Sequence, residues 1–407
     1  FFANMIGRTM QRESLNRMDW MEIHTRLPLI NSLDHIGDSP FYRGIIEHET
    51  YSEWWDRYSL RSRYHEVEAP AYFMTGWYDS LLHETLKVFN GWTRKARTEK
   101  CKKLTKLVIG PWSHQIAPWG KSGNNLGPNG EYEGVSFGSS VQTDIVDIHL
   151  RWYEARLKGI NNGIDDEPPI QLFVMGSNSW RFENEWPLAR TKWTRLYLDS
   201  SGGANSGGGD GTLNLTPRDN SSADTFDYDP ANPVLSWGGQ YQSQELAGPR
   251  DRRQTESRGD VLVYTSAALE NNLEVTGPIS ATIVASTDGP STDFTATLVD
   301  VWPDGRAIIL CEGISRSNYL NPEIGPSLID PGRPYTYQID MWDTSNLFKK
   351  GHRIRLEISS SNFPRYERNL NTGEPAGTST EMRVAHQVVL HDPENPSYLT
   401  LPVIPQG

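Results

Sequence analysis

The strongest constraint on this 407-residue chain is a change of texture at Asp165-Asp-Glu-Pro-Pro169. Before it, apolar runs alternate with stretches of helical periodicity, the pattern of parallel βα units. After it, short alternating runs recur between Gly, Pro, Asn and Asp turns, the pattern of a β-sandwich or jelly roll. The expected fold class is therefore α/β plus all-β. Length agrees, since domains usually hold ~100 to 200 residues and two or three units are expected.

Three stretches follow. Residues 1–66 read as helical, with Met10, Leu15, Met18, Met21 and Ile23 as a loose apolar face and Asp38-Ser39-Pro40 as a start signal for the aromatic segment Tyr42 to Asp56. That segment suits either a surface helix packing Trp54 and Trp55 into a core or a substrate-facing lid. Residues 67–164 give a strand at Tyr72–Thr75 and a helix over 80–97 with Leu82, Leu86 and Phe89 on one face. A second strand follows at Leu107–Ile109, then a helix from a Ser140 cap to Lys158 with Ile145, Ile148, Trp152 and Ala155 buried, ended by Gly159. Residues 165–407 supply strands near 170–175, 194–198, 261–265, 279–285, 294–301, 307–312, 335–341 and 353–359, with the Gly-rich run 200–211 expected as a flexible surface loop.

Two segments end an apolar strand on a reactive side chain: Ala69 to Asp79, closing on Gly-Trp-Tyr-Asp, and Leu104 to His114, closing on Gly-Pro-Trp-Ser-His. Loops at the carboxyl ends of parallel strands are where sheet enzymes place their chemistry. In a Ser-His-Asp relay the carboxylate fixes the imidazole tautomer, and the imidazole moves the nucleophile's proton. Asp79 and His114 suit those two roles; taken alone, Asp79 reads more readily as a helix cap. The attacking serine belongs on a G-x-S-x-G turn between strand and helix, and no such turn occurs here. Gly134-Val-Ser-Phe-Gly138 matches by letters, but it follows the histidine and leaves a polar loop; Ser177 also lacks the context. Trp77, Tyr78, Trp112 and Trp119 would wall an aromatic acyl or alcohol pocket, or serve as ordinary packing at the strand ends.

These residues carry a resemblance. G-W-Y-D at 76–79 and L-V-I-G-P-W-S-H at 107–114 resemble the acid and histidine motifs of the cocaine esterase family, serine hydrolases related to X-Pro dipeptidyl-peptidases and α-amino acid ester hydrolases. Phe173 to Arg181 with Glu185-Trp-Pro187 is similar to the opening of that family's C-terminal jelly roll, and Leu298 to Arg306 with Gly313 to Arg316 to a later strand pair. Leu27-Pro-Leu and His48 to Trp55 are similar to its helical cap. The resemblance implies a helical cap (1–66), the C-terminal part of an α/β-hydrolase domain (67–164) and a jelly-roll β-sandwich (165–407). It makes Asp79 the triad acid and His114 the base, and it places the serine and an oxyanion tyrosine upstream of these residues, so that the 407 residues alone are expected to be inactive. Ser80, Leu81 and Leu82 follow Asp79 where relatives that take amino esters are expected to cluster carboxylates, which disfavours amine recognition. His83 is expected as a supporting or surface residue and Glu84 as solvent-facing.

Composition closes other classes. A formal charge of −12 without a basic stripe argues against nucleic acid, and no apolar run approaches the ~20 residues of a membrane span. Two cysteines, Cys101 and Cys311, give no disulfide framework. The 10 histidines show no metal-ligand spacing, so no cofactor or metal is expected, and Pro303-Asp-Gly305 makes Asp300 to Asp304 with Glu312 a turn rather than a calcium loop. The expected partner is a small-molecule ester or amide; a homo-oligomer stays open, as does the compartment. Two rivals remain: a glycoside hydrolase, suggested by 14 Trp and 51 acidic residues but needing two facing carboxylates, and a non-catalytic jelly-roll binding module.

Overall fold

A computed structural model describes residues 18–34, 39–114, 130–141, 143–219, 222–242, 246–321, 325–375 and 377–405. Met10, Leu15, Asp38 and Trp119 lie outside the described residues.

The first described part is helical: α1 (Trp20–Thr25), α2 (Pro40–Glu47) and α3 (Glu53–Asp56). Asp19 caps α1 through Glu22 N–H, and Ser39 caps α2 through Tyr42 N–H with Pro40 at the first helical position. Trp54 stacks on Phe41 and His48 of the preceding segment, so the Trp pair packs against α2. This region also reaches the far end of the chain, where Arg368 Nη2 donates to Thr25 O at 2.8 Å and Ile30 N–H to Gly377 O at 2.9 Å.

The α/β part runs β1 (Tyr72–Tyr78), α4 (Leu82–Lys95), α5 (Glu99–Leu104), β2 (Lys106–Ser113), the hairpin β3 (Glu131–Tyr132) and β4 (Val135–Ser136), α6 (Ile145–Leu157), β5 (Ile170–Val174) and β6 (Ser179–Glu183). The sheet order is β1-β2-β5-β6, parallel through β5 and antiparallel at β6. Leu82, Leu86 and Phe89 of α4 are buried at helical spacing, as their sequence period requires. Helix α6 starts later than expected because Asp144, not Ser140, caps it, accepting from Asp147 N–H; Ser140 instead donates to Asn178 O. Residues 170–183, expected with the C-terminal strands, pair into this first sheet, so the change of sheet falls after β6 rather than at 165.

The remaining strands are β7 (Lys192–Asp199), β8 (Thr212–Asn214), β9 (Asp224–Tyr228), β10 (Leu262–Ser266), β11 (Leu273–Thr287), β12 (Asp293–Val301), β13 (Ala307–Arg316), β14 (Tyr335–Phe348), β15 (Arg353–Ser359), β16 (Ala385–Leu390) and β17 (Tyr398–Ile404). They form one sheet-rich C-terminal region, ordered β13-β12-β15-β10-β8-β7-β17-β11-β16-β9, with β14 also on β11. All of its pairings are antiparallel except β10 with β8. The Gly-rich run is packed rather than loose: Asp210 accepts from Ser201 and Gly203 N–H, and a Cβ at Gly209 or Gly211 would come within 2.3 or 2.2 Å of a backbone oxygen. Gly209 and Gly211 thus serve close approach. One apolar core joins this region to the first sheet, with Trp77, Tyr78, Trp112, Phe173 and Trp186 packed among its buried residues.

Candidate active site

The geometry begins at the ends of β1 and β2. Their register is regular from Tyr72↔Lys106 to Gly76↔Gly110, then shifts, with Tyr78 opposite Ser113. Pro111 sits at the shift and brings no N–H to the ladder. Gly76 O instead accepts from Asp79 N–H at 3.0 Å, turning the chain sharply out of the strand. Glycine is required on both strands here: a Cβ at Gly76 would stand 2.0 Å from Trp112 O, and one at Gly110 2.0 Å from the Trp112 ring.

That turn leaves Asp79 almost buried, its Oδ1 accepting from Leu81 N–H at 2.8 Å and lying 3.1 Å from His114 Nδ1. Asp79 thus holds the entry to α4, as a helix cap would, and meets the imidazole with the same oxygen. The pairing fixes the proton on Nδ1 and leaves Nε2 as an acceptor. His114 keeps 35% of its side chain exposed against 11% for Asp79, so the carboxylate is sealed while the ring is open on one side. The arrangement can take a proton at Nε2 and stabilise the resulting imidazolium.

The structure brings Asp79 and His114 together and spends three of the four aromatic candidates on packing. Trp77 is fully buried and donates from Nε1 to Phe173 O at 2.7 Å. Tyr78 donates to Ile309 O at 3.2 Å, and burial pushes its phenol well above the usual value. Trp112 lies over the two glycines against Trp180. Tyr78 does border a cavity between the two sheets, with Phe137, Asp300 and His352, but at about 90 Å³ it is far smaller than the ~300 Å³ and more of a ligand pocket. Trp119 is outside the described residues. A concavity of about 870 Å³ lies on an outer sheet face lined by Trp193, Arg195, Tyr197 and Tyr398, with no residue from β1 or β2.

Neither local serine is placed as a nucleophile elbow. Ser136 ends the β3–β4 hairpin, and Ser177 lies in the β5–β6 turn and donates to Val174 O. A serine, histidine and aspartate do meet elsewhere, at Ser200, His391 and Asp224, but Ser200 Oγ and His391 Nε2 both approach the same carboxylate oxygen and the His and Asp are wholly buried. That cluster is a sealed hydrogen-bond network. Glu84 is exposed beside Lys87, as expected, and of the two places expected for His83 the structure gives the supporting one, largely buried and stacked on Trp342. Gln240, which donates to Trp77 O, carried no signal in the sequence, being 163 residues away. Asp300, Asp304 and Glu312 each take a separate partner, His352, Arg306 and Arg365. Among the described residues no group of three or more His, Cys, Asp and Glu stands ready for a metal, both cysteines are free and buried, and no helix is long and apolar enough to cross a membrane.

A parallel sheet that ends adjacent strands on a carboxylate and the imidazole it meets, followed by a large sheet-rich region, agrees with the serine-hydrolase families to which the chain is similar. Residues 162–400 match the model of the X-Pro dipeptidyl-peptidase C-terminal non-catalytic domain, and the chain belongs to that family; residues 5–116 match the model of the X-Pro dipeptidyl-peptidase S15 family. It is 40% identical over 364 residues to the cocaine esterase of Rhodococcus sp., covering 88% of this chain and 61% of that protein. It is 27% identical over 321 residues to a putative serine esterase of Mycobacterium bovis, covering 72% of this chain and 45% of that protein. Among solved structures, an α-amino acid ester hydrolase superposes with a TM-score of 0.75 at 22% identity, over 94% of this chain and 64% of that one, a likeness of fold. The chain thus spans about half to three fifths of the curated relatives it matches. Neither the glycoside-hydrolase reading nor that of a binding module alone finds support in these comparisons.

Proposed function

We propose that this chain is the acid-and-base part of a serine esterase or amidase that works through an acyl-enzyme. Asp79 holds His114, and His114 accepts the proton of a serine supplied by polypeptide outside these 407 residues. The observation that carries this reading is the 3.1 Å contact between His114 Nδ1 and the nearly buried Asp79 carboxylate, with the ring open on its other side. The substrate class is a small-molecule ester or amide. The run Ser80-Leu81-Leu82 after the acid puts no carboxylate where a substrate ammonium would need one, which favours a neutral ester. Trp77, Tyr78 and Trp112 shape the strand ends from behind rather than touching substrate. We read the sheet-rich region as a jelly-roll β-sandwich, the described helices before residue 67 as the helical cap, and β1 to β6 as the sheet of the α/β part.

A fluorophosphonate probe tests the reading. The longer polypeptide that includes the sequence upstream of Phe1 is expected to label on a serine, and His114→Ala to slow labelling by ~10³-fold or more. The 407-residue chain is expected to stay unlabelled. Absence of labelling in the longer polypeptide, or labelling indifferent to His114, sinks the reading.

A further inference from the structure

The acid is gripped from outside its own sheet. Two residues before Asp79, the Trp77 carbonyl accepts 3.1 Å from Gln240 Nε2, a side chain only 1% exposed. Four residues after it, His83 in the first turn of α4 stacks on Trp342, with centroids 5.3 Å apart and ring planes at 11°. His83 Nε2 also lies 3.5 Å from Asp340 Oδ2. The two grips are joined: Gln240 Oε1 accepts from Arg365 Nη1 at 3.5 Å, and the Arg365 guanidinium lies 4.5 Å over the Trp342 ring while its Nη1 pairs with Glu312. Gln240, Arg365 and Trp342 all belong to the sheet-rich region.

The backbone shows that Trp342 is held there by design of the bulge. It has φ +67°, a left-handed conformation uncommon for a bulky residue, at the register shift between β11 and β14, and its N–H donates to Asp340 Oδ1 at 2.9 Å. The bulge aims the indole out of its own sheet toward α4. Arg365 is fixed by burial and by Glu312, so the ring has a held guanidinium over it as well as the imidazole stacked on it.

We propose that Gln240 and Trp342 are positioning residues for the triad acid: the sheet-rich region brackets Asp79 on both sides and so sets the orientation of the carboxylate that His114 meets. The inference rests on the Asp79–His114 reading and goes beyond it, because it gives a region whose family model is called non-catalytic a part in the relay's geometry. Gln240 removes the slack in the strand end, where the ladder has already been broken at Pro111. Trp342 fixes the start of the helix that follows. A carboxylate on a turn between two such anchors has little freedom to swing.

The test is imidazole ¹⁵N and ¹H NMR on the 407-residue chain, reading which nitrogen of His114 carries the proton. Wild type is expected to show the Nδ1–H tautomer as the dominant form, and Asp79→Asn to lose that dominance. Gln240→Met, which keeps volume and removes the donor, and Trp342→Leu are expected to give a mixture of tautomers, and Trp342→Phe, which keeps a ring for His83 and Arg365, to restore the wild-type pattern. Melting temperatures of each variant separate this from packing, since a purely structural role lowers the melting point and leaves the His114 tautomer of the folded protein as in wild type. If Asp79→Asn leaves the tautomer unchanged, the pair itself is refuted. If Asp79→Asn changes it while both Gln240→Met and Trp342→Leu keep the wild-type pattern, the bracket is refuted and the pair stands.

Discussion

Two aspartate–histidine pairs in this molecule are built from the same side chains to opposite ends. At Asp224 the carboxylate accepts from His391 Nε2 at 2.8 Å, Ser200 Oγ at 2.7 Å, Tyr264 OH at 2.7 Å and Ala204 N–H at 2.8 Å. Burial alone would raise the pKa of this carboxyl, but the hydrogen bonds from His391, Ala204, Tyr264 and Ser200 together pull it below the usual range. At Asp79 the carboxylate takes one backbone N–H and one imidazole, and that imidazole is a third exposed. A pair whose every polar atom is satisfied holds structure; a pair left open on the histidine side can exchange a proton. The difference is topological. Asp79 and His114 leave the carboxyl ends of adjacent parallel strands, where the chain turns outward, whereas Asp224 opens β9 and His391 directly follows its antiparallel partner β16, both side chains buried in the sheet-rich region.

Removing the carboxylate at each site tests that contrast. In the longer polypeptide that supplies the serine, Asp79→Asn is expected to lower kcat by ~10⁴-fold, the cost of the wrong imidazole tautomer. Its unfolding free energy should fall by only ~1 kcal/mol, because turning the amide nitrogen toward His114 gives up the single bond from Leu81 N–H. Asp224→Ala should do the reverse, costing ~3–5 kcal/mol by stranding four buried donors. Urea unfolding of both variants in the 407-residue chain checks the stability half, and equal losses at the two sites would erase the distinction drawn here.

The part of this contrast legible in the sequence is the part that depends on neighbours along the chain. Asp79 and His114 stand out because each follows a short apolar run directly, and the face of α4 is written in the spacing of Leu82, Leu86 and Phe89. What depends on distant pairing was not legible. Residues 170–183 read as one more β segment, and only the hydrogen bonds of β5 to β2 assign them to the first sheet. The Gly-rich run 200–211 reads as a loose loop because its order comes from Asp210 and from backbone oxygens that nearly touch its glycines. Trp77, Tyr78 and Trp112 read as pocket walls or as ordinary packing alike, because sequence shows an aromatic at a strand end but not which side of the sheet is covered. Gln240 offers no local signal at all, since its role is created by a carbonyl that a register shift far upstream leaves free.

Asp343 tests the same contrast at the boundary between the two regions, with a smaller expected effect. Its carboxyl is buried on β14 and accepts from Trp186 Nε1 at 3.0 Å, and Trp186 packs on Trp77, two residues before the acid. Burial raises its pKa to about 7, outweighing the hydrogen bond from Trp186, with the nearby Asp340 charge adding to the rise. The folded chain therefore keeps this proton through a range in which the unfolded chain, with an ordinary aspartate near 4, has lost it. Stability from this group is full below pH ~4, falls as pH rises toward 7 and is level above that. Asp343→Asn keeps an acceptor for Trp186 and has no proton to lose, so it should match wild type near pH 4.5 and exceed it at pH 8 by on the order of 3 kcal/mol. Denaturant unfolding of both proteins at pH 4.5, 6 and 8 reads the difference directly. A difference that does not change with pH would mean that Asp343 is ionised in the fold, and that the boundary handles its carboxylates as the sealed Asp224 cluster does rather than by keeping one neutral.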